Sequence, residues 1–305
     1  MNLLFIGVSS FTGYHFVNEI SKKKSIKIYC TLTKNLKNYD SIRLKRINLI
    51  KKKSNIKLIQ KTKFGDKNFI KLLSTINFNR ICFHHALTKN YNDDAKFKLK
   101  KSLNVNLMNI DKVFKNINKK SYIIVSNSVF QEIKKKNYSP FSKYGLSKTL
   151  TYKKIKNYCK KYNLKYKSIF ITNPWGTYEE KKLNYYLVYN WLKNKIPIIT
   201  HPKYIRDNIF INKLSENYLK IIKSKSSKVD YYPTGNCCST NKEFVKAFKI
   251  KFEKIFKKKV YVKYKKKAKY TESITRINGL KIKKKIHIKE NLNEYFNYYK
   301  ELFKV

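Results

Sequence analysis

At 305 residues with 42% apolar side chains, the chain has material for one large domain, or a large and a small one, around a buried core, which excludes a disordered tail. A formal net charge of +53 points by itself to nucleic acid or an anionic membrane. Yet the excess is nearly all lysine along the whole length, and arginine, whose planar fork suits phosphate and guanine, stands only at Arg43, Arg46, Arg80, Arg206 and Arg276. The skew reads as drift toward A/T-rich codons, with a selected polyanion surface as the alternative.

The early chain alternates. "NLLFIGV" is a short buried-strand run, "TGYHFVNEI" has apolar residues at helical spacing, and "SIKIYCTLT" is a strand. "DKNFIKLLSTI" then reads as a helix, "RICFHHA" as a strand, "LNVNLMNIDKVFKNI" as a helix and "SYIIVSNS" as a strand. This alternation predicts an α/β fold, a doubly wound parallel Rossmann sheet over 1–172. Beyond "FITNPWG" the rhythm weakens among Pro174, Pro197, Pro202 and Pro233, and a smaller C-terminal substrate-binding lobe is expected over 173–305, with 204–230 returning to the first domain and the helix "NLNEYFNYYKELF" closing the chain.

Cys30, Cys82, Cys159, Cys237 and Cys238 are odd in number and lack paired spacing, which argues against a disulfide framework or a zinc site and for a reducing cytoplasm. "MNLLFIGV" has no basic leader, and no apolar run reaches the roughly 18 residues of a spanning helix. His84 and His85 are adjacent and point apart on a strand, so cofactor lining or core packing is expected of them and a metal is not.

The first strand runs into "GVSSFTG" and then a helix, an arrangement in which backbone N–H groups and the helix N-terminus face an anion. Gly7 and Gly13 suit the tight turn and close helix packing, while Ser10 takes the middle position with a hydroxyl donor. The loop alone leaves a plain turn equally open. The second strand ends at Thr33 and Lys34, where an acid usually binds the ribose 2′-hydroxyl, so NAD or NADP stays open with a lean to NADP.

"FSKYGLSK" places Tyr144 and Lys148 four apart, on one helix face, but Tyr152/Lys156, Tyr178/Lys182, Tyr189/Lys193 and Tyr261/Lys265 share that spacing. Order separates the pair from its decoys. "GVSSFTG", "CFHHA", "NLMNIDKVF", "IIVSNSVF", "SPFSKYGLSK", "FITNPWGTYEE", "YIRDNIFIN" and "TGNCCSTNKEFVKAF" follow one another as landmarks do in the extended short-chain dehydrogenase/reductase family, the NAD-dependent epimerase/dehydratases of nucleotide sugars, which the chain resembles over nearly its whole length.

The resemblance implies an NAD(P)-dependent oxidoreductase or isomerase, cytoplasmic and homodimeric, acting on a nucleotide-diphosphate sugar, with nucleic acid not a partner. Its catalytic set would be Ser126, Tyr144 and Lys148, with Ser128 as fallback for the hydroxyl. The cofactor would lie along Gly7, Ser10, Phe11, Thr12, Gly13, Thr33, Lys34, His84, Ala86 and Asn106, with Tyr144 and Lys148 at its nicotinamide end. Ser126, Ser128, Asn173 and Arg206 would meet the substrate, and Trp175 would plug the core. Lowering a phenol from near 10 to near 7 takes roughly 4 kcal/mol of differential stabilisation, for which Lys148 and a cationic nicotinamide are the expected sources.

The sequence departs from the sugar-nucleotide 4,6-dehydratases, which carry an acidic pair after the catalytic hydroxyl where this chain has Asn127 and Ser128. That favours C4 epimerisation or 4-keto reduction. The Ser126 to Tyr144 interval is also shorter than the family's usual one, and "NPWGTYEE" with "RDNIFI" resembles a bacterial subgroup found with surface-polysaccharide genes. Two alternatives remain: a catalytically weak, cofactor-binding scaffold that holds RNA or another polyanion on its basic surface, and a redox sensor that binds NADP without turnover.

Overall fold

The computed structural model describes residues 1–131, 142–266, 273–278, 288 and 290–304; positions 139–141 of the "SPFSKYGLSK" landmark lie outside them. In chain order the elements are β1 (Asn2–Ile6), α1 (Phe11–Ser21), β2 (Lys27–Thr31), α2 (Ser41–Lys51), β3 (Ile56–Ile59), α3 (Lys67–Thr75), β4 (Arg80–Phe83), α4 (Leu99–Asn106), α5 (Ile110–Lys115), β5 (Tyr122–Ser128), α6 (Lys143–Lys161) and β6 (Lys165–Ile171). There follow β7 (Asn173–Trp175), α7 (Leu183–Leu192), β8 (Ile198–Ile199), β9 (Ile205–Phe210), α8 (Ile211–Lys223), β10 (Asp230–Tyr231), β11 (Cys238–Thr240), α9 (Asn241–Phe256), β12 (Lys263–Tyr264), β13 (Thr275–Arg276) and α10 (Asn293–Phe303). Two compact units result, Met1–Ile171 with Ser215–Pro233, and Thr172–Leu214 with Thr234–Val305.

The first unit is built on a seven-stranded sheet in the order β10-β6-β5-β4-β1-β2-β3, with every pairing parallel. A parallel sheet is covered on both faces, which is why β1 is a continuous apolar run with Leu3, Leu4 and Phe5 fully buried. One face packs Leu4, Ile6, Phe83, Ile123 and Val125 against Ile155 and Cys159 of α6. Alternate residues look the other way, where Phe5 meets Tyr218 of α8 and Tyr218 stacks on Phe16 of α1 at 4.0 Å. Strand order reverses between β1 and β4, so the loops after these two strands open the crevice in which doubly wound sheets bind ligands.

The stretch between β2 and α3, to which the sequence reading assigns no element, holds α2 and β3; α2 buries Arg46 together with Ile47 and Ile50, and a cation on the inner face breaks the apolar stripe that would have revealed it. The single helix expected over "LNVNLMNIDKVFKNI" is two, because Asn109 adopts a left-handed φ of 49° between α4 and α5 and its amide donates to the Gly65 carbonyl at 2.9 Å.

In the second unit β9 pairs with β11, β13 and β7, and β12 with β8. Trp175 sits in its core against Phe210, Phe244, Phe248 and Tyr295. The closing helix α10 is held there by Tyr295 and Tyr299, whose hydroxyls donate to Oε1 of the buried Glu179 at 3.1 and 3.2 Å.

Candidate active site

The glycine loop joins β1 to α1. Gly7 has φ +102°, and a Cβ there would come within 3.0 Å of the His84 and His85 backbone. A Cβ on Gly13 would lie 2.3 Å from the Gly7 carbonyl oxygen, so neither position admits a side chain without the loop moving. Ser10 is the N-cap of α1: its hydroxyl donates to the Gly7 carbonyl at 2.8 Å and accepts from the Gly13 amide at 3.1 Å. The hydroxyl expected to face a phosphate is thus spent inside the loop, while the first amides of α1, those of Phe11 and Thr12, have no partner within a helix start.

From the adjacent strand, His84 reaches both ways. Its Nε2 lies 2.9 Å from Thr12 Oγ1 and its Nδ1 lies 2.7 Å from Ser126 Oγ. Loss of solvent and the nearby Lys148 ammonium lower its pKa from 6.5 to about 3, so the ring is neutral. Ser126 is held from a second direction, because Lys148 Nζ donates to its backbone carbonyl at 2.5 Å. Burial lowers the Lys148 pKa to about 8.

Helix α6 starts at Ser142, whose hydroxyl accepts from the Gly145 amide at 3.1 Å. A Cβ on Gly145 would sit 2.0 Å from the Phe130 carbonyl oxygen, so glycine lets the first turn of α6 close on the segment after β5. The Tyr144 ring is met edge-on by Tyr91, Phe97 and Phe130 at 5.5 to 5.9 Å. In this setting burial, with Tyr91 adding to it, raises the phenol pKa. Burial sets this direction, while the Lys148 ammonium is held by the Ser126 carbonyl.

At the end of β5, Ser126 is 2% exposed and its hydroxyl is engaged by His84. Asn127 is as deeply buried, and neither atom of its carboxamide has a hydrogen-bond partner among the described residues. Ser128 is partly exposed; its amide donates to Gln131 Oε1 at 2.7 Å and its Oγ accepts from the Phe130 amide at 3.3 Å.

Asn106 is fully buried and braces the loop after β4, with Oδ1 accepting from the Leu87 amide at 3.1 Å and Nδ2 donating to Thr151 Oγ1 of α6 at 3.3 Å. Ala86 lies in the loop so held. Thr33 and Lys34 are exposed beyond β2, which ends at Thr31, and Thr33 Oγ1 lies 3.3 Å from the Tyr39 hydroxyl. In the second unit, the Asn173 amide donates to Asn208 Oδ1 at 2.6 Å, while the buried Arg206 donates to the Ile205 and Ile274 carbonyls at 2.8 and 2.7 Å and covers the Tyr204 ring.

Sequence reasoning missed Arg46. Fully buried, it donates from Nη1 to the Ser9 carbonyl at 3.2 Å and lies over the Phe11 ring, bracing the glycine loop from α2. Its rarity among lysines was the available signal.

A reversed-order parallel sheet with a glycine turn at the switch point, and Tyr144 and Lys148 on the helix packed behind β5, is the arrangement of a doubly wound α/β protein. Residues 85–232 match the model of the NAD dependent epimerase/dehydratase family. No curated protein sequence matches the chain. Among solved structures it is similar to the UDP-glucuronic acid 4-epimerase of Bacillus cereus in complex with UDP-glucuronic acid and NAD, at 15% identity and TM-score 0.77, over 99% of this chain and 100% of that one. The UDP-N-acetylglucosamine 4-epimerase of Methanobrevibacter ruminantium M1 gives 18% identity and TM-score 0.72 over 99% of this chain and 97% of that one. For the dTDP-glucose 4,6-dehydratase of Bacillus anthracis in complex with NAD the figures are 16% and 0.71, again over 99% and 97%. The fold is that of NAD-dependent nucleotide-sugar enzymes, and no helix among the described residues is long and apolar enough to cross a membrane.

Proposed function

We propose that the chain is an NAD(P)-dependent nucleotide-sugar epimerase or 4-keto-sugar reductase, with Tyr144 as the acid/base. The observation that carries this reading is the junction at Ser126, where the helix bearing Tyr144 and Lys148 is tied to the strand end beside the glycine loop. Gly7 and Gly13 let the loop close tightly on its own carbonyl and on the His84 and His85 backbone, which suits a turn that presents backbone N–H groups to a pyrophosphate. Gly7, Gly13 and the amides of Phe11 and Thr12 would hold it, and the absence of a carboxylate at Thr33 and Lys34 suits NADP as well as NAD. When bound, the dinucleotide supplies the hydride acceptor or donor.

The chain's own residues supply the proton and the positioning. Tyr144 takes the proton of a sugar hydroxyl as the carbon beneath is oxidised, or returns one to a carbonyl oxygen as it is reduced. Because the aromatic enclosure raises its pKa, the phenol starts protonated, which suits the donating direction; the accepting direction needs positive charge close by. Lys148, held at about 8, is the chain's source of that charge. Of the two serines, the geometry favours Ser128 to meet the reacting oxygen, since Ser126 is closed off by His84. Neither an Asp nor a Glu follows the strand-end hydroxyl, which favours epimerisation or reduction over dehydration.

The test is incubation of the purified protein with UDP-, dTDP-, GDP- and CDP-sugars and either NAD or NADP, with products read by mass and NMR. An inverted C4 centre or a reduced 4-keto sugar is the expected product, and Ser128→Ala is expected to slow its formation about 100-fold while Ser126→Ala slows it less. A 4-keto-6-deoxy product would overturn the reading.

A further inference from the structure

The contacts at His84 have a use that the reaction does not require of a histidine. Thr12 sits in the first turn of α1, on the glycine loop; His84 follows β4; Ser126 lies on β5; Lys148 lies on α6. Four consecutive hydrogen-bonding partners, Thr12 Oγ1, His84 Nε2 and Nδ1, Ser126 Oγ with its carbonyl, and Lys148 Nζ, thereby join the loop helix to the helix of the acid/base at spacings of 2.9, 2.7 and 2.5 Å.

Each link has a definite sense. A neutral imidazole carries one proton, so one hydroxyl donates to His84 while the other accepts from it, and the ring cannot lose one contact without unbalancing the other. The ring is fixed sideways as well, between Phe5 at 5.5 Å and Phe16 at 5.3 Å. Gly7 lies against the His84 backbone, so the loop and this ring move together. On the far side the fully buried Tyr218 hydroxyl faces Ser126 and Cys82, and burial raises its pKa well above 10, so that side of Ser126 is closed by a protonated phenol.

We propose that His84 is a positioning residue that couples the seating of a dinucleotide on the glycine loop to the placement of β5 and Lys148. This rests on the dinucleotide reading above. A dinucleotide that presses on the first turn of α1 shifts Thr12, and the imidazole carries that shift to Ser126 and, through its carbonyl, to Lys148. By reciprocity, loosening Ser126 weakens dinucleotide binding although its hydroxyl faces His84 rather than the loop.

The experiment is a double-mutant cycle read as affinity for NAD and for NADP, by calorimetry and without any sugar. His84→Phe keeps the ring's bulk and removes both contacts, and Ser126→Ala removes one hydroxyl. Each is expected to weaken binding about 5-fold, and the double variant no more than either alone. Effects that multiply, or a Ser126→Ala variant that binds as tightly as the original, would overturn the coupling while leaving the dinucleotide reading intact. No binding of either dinucleotide to the unsubstituted chain would overturn that reading and the coupling with it. Should a variant fail to fold, the unsubstituted protein still decides: its His84 ring ¹⁵N resonances are expected to shift when the preferred dinucleotide is added, and unmoved resonances at saturation would refute the proposal.

Discussion

Lys148 Nζ donates to the carbonyl of Ser126 at 2.5 Å, and this bond ties the helix of Tyr144 to the end of β5. A buried ammonium costs desolvation, which is why its pKa falls to about 8, and the carbonyl only partly offsets that cost. Lys148→Met, similar in length and apolar, should therefore leave stability within about 1 kcal/mol of the original or raise it. Turnover should fall at least 100-fold, because the charge near the phenol is gone. Denaturant unfolding beside initial rates checks both; a variant that is unstable yet fully active would contradict the assignment.

Gly13 is the most constrained position of the loop. An added methyl must displace the Gly7 carbonyl 2.3 Å away, and that carbonyl also receives the Ser10 hydroxyl. Gly13→Ala should abolish dinucleotide binding measured by calorimetry. Gly7→Ala, strained at φ +102° by about 1–2 kcal/mol, should weaken it less. The reverse ranking would mean that the loop is not the cradle.

The strands that frame the candidate site were legible in the sequence. Order, rather than spacing, singled out Tyr144 from four Tyr-x-x-x-Lys decoys, and apolar runs such as "NLLFI" and "YIIV" announced strands because a covered parallel sheet tolerates few polar residues. What stayed hidden depends on tertiary contacts. Arg46 is polar by type and buried by circumstance, so α2 went unseen. The engagement of Ser126 by His84 joins residues 42 apart, and no periodicity encodes which of two alternating serines a neighbouring strand will occupy. The phenol's acidity depends on rings at Tyr91, Phe97 and Phe130 that the loop landmarks do not reveal.

Buried titratable groups give stability a pH dependence of two signs. His84 and His85 have folded pKa values near 3 and 4, below their ordinary 6.5, so the unfolded chain binds more protons between those limits and stability drops as pH falls from about 6.5. Glu179 is the opposite case: burial raises it from 4.5 to about 7, the folded chain holds the extra proton, and stability drops as pH rises from about 4.5 to 7. Glu179→Gln removes only the second effect. Relative to the original protein, the variant should gain in denaturant midpoint on going from pH 5 to pH 8. An unchanged difference between the two proteins at those two pH values would contradict the raised carboxyl.

The central claim is that Tyr144 moves the proton while the fold holds a dinucleotide, and Tyr144→Phe tests it most directly. With the sugar nucleotide and cofactor that support turnover in the original protein, the variant should lose at least 100-fold in rate and bind the dinucleotide within about 2-fold of the original affinity. Equal turnover in the two proteins, or dinucleotide binding with no turnover of any sugar nucleotide by the original, would contradict the account.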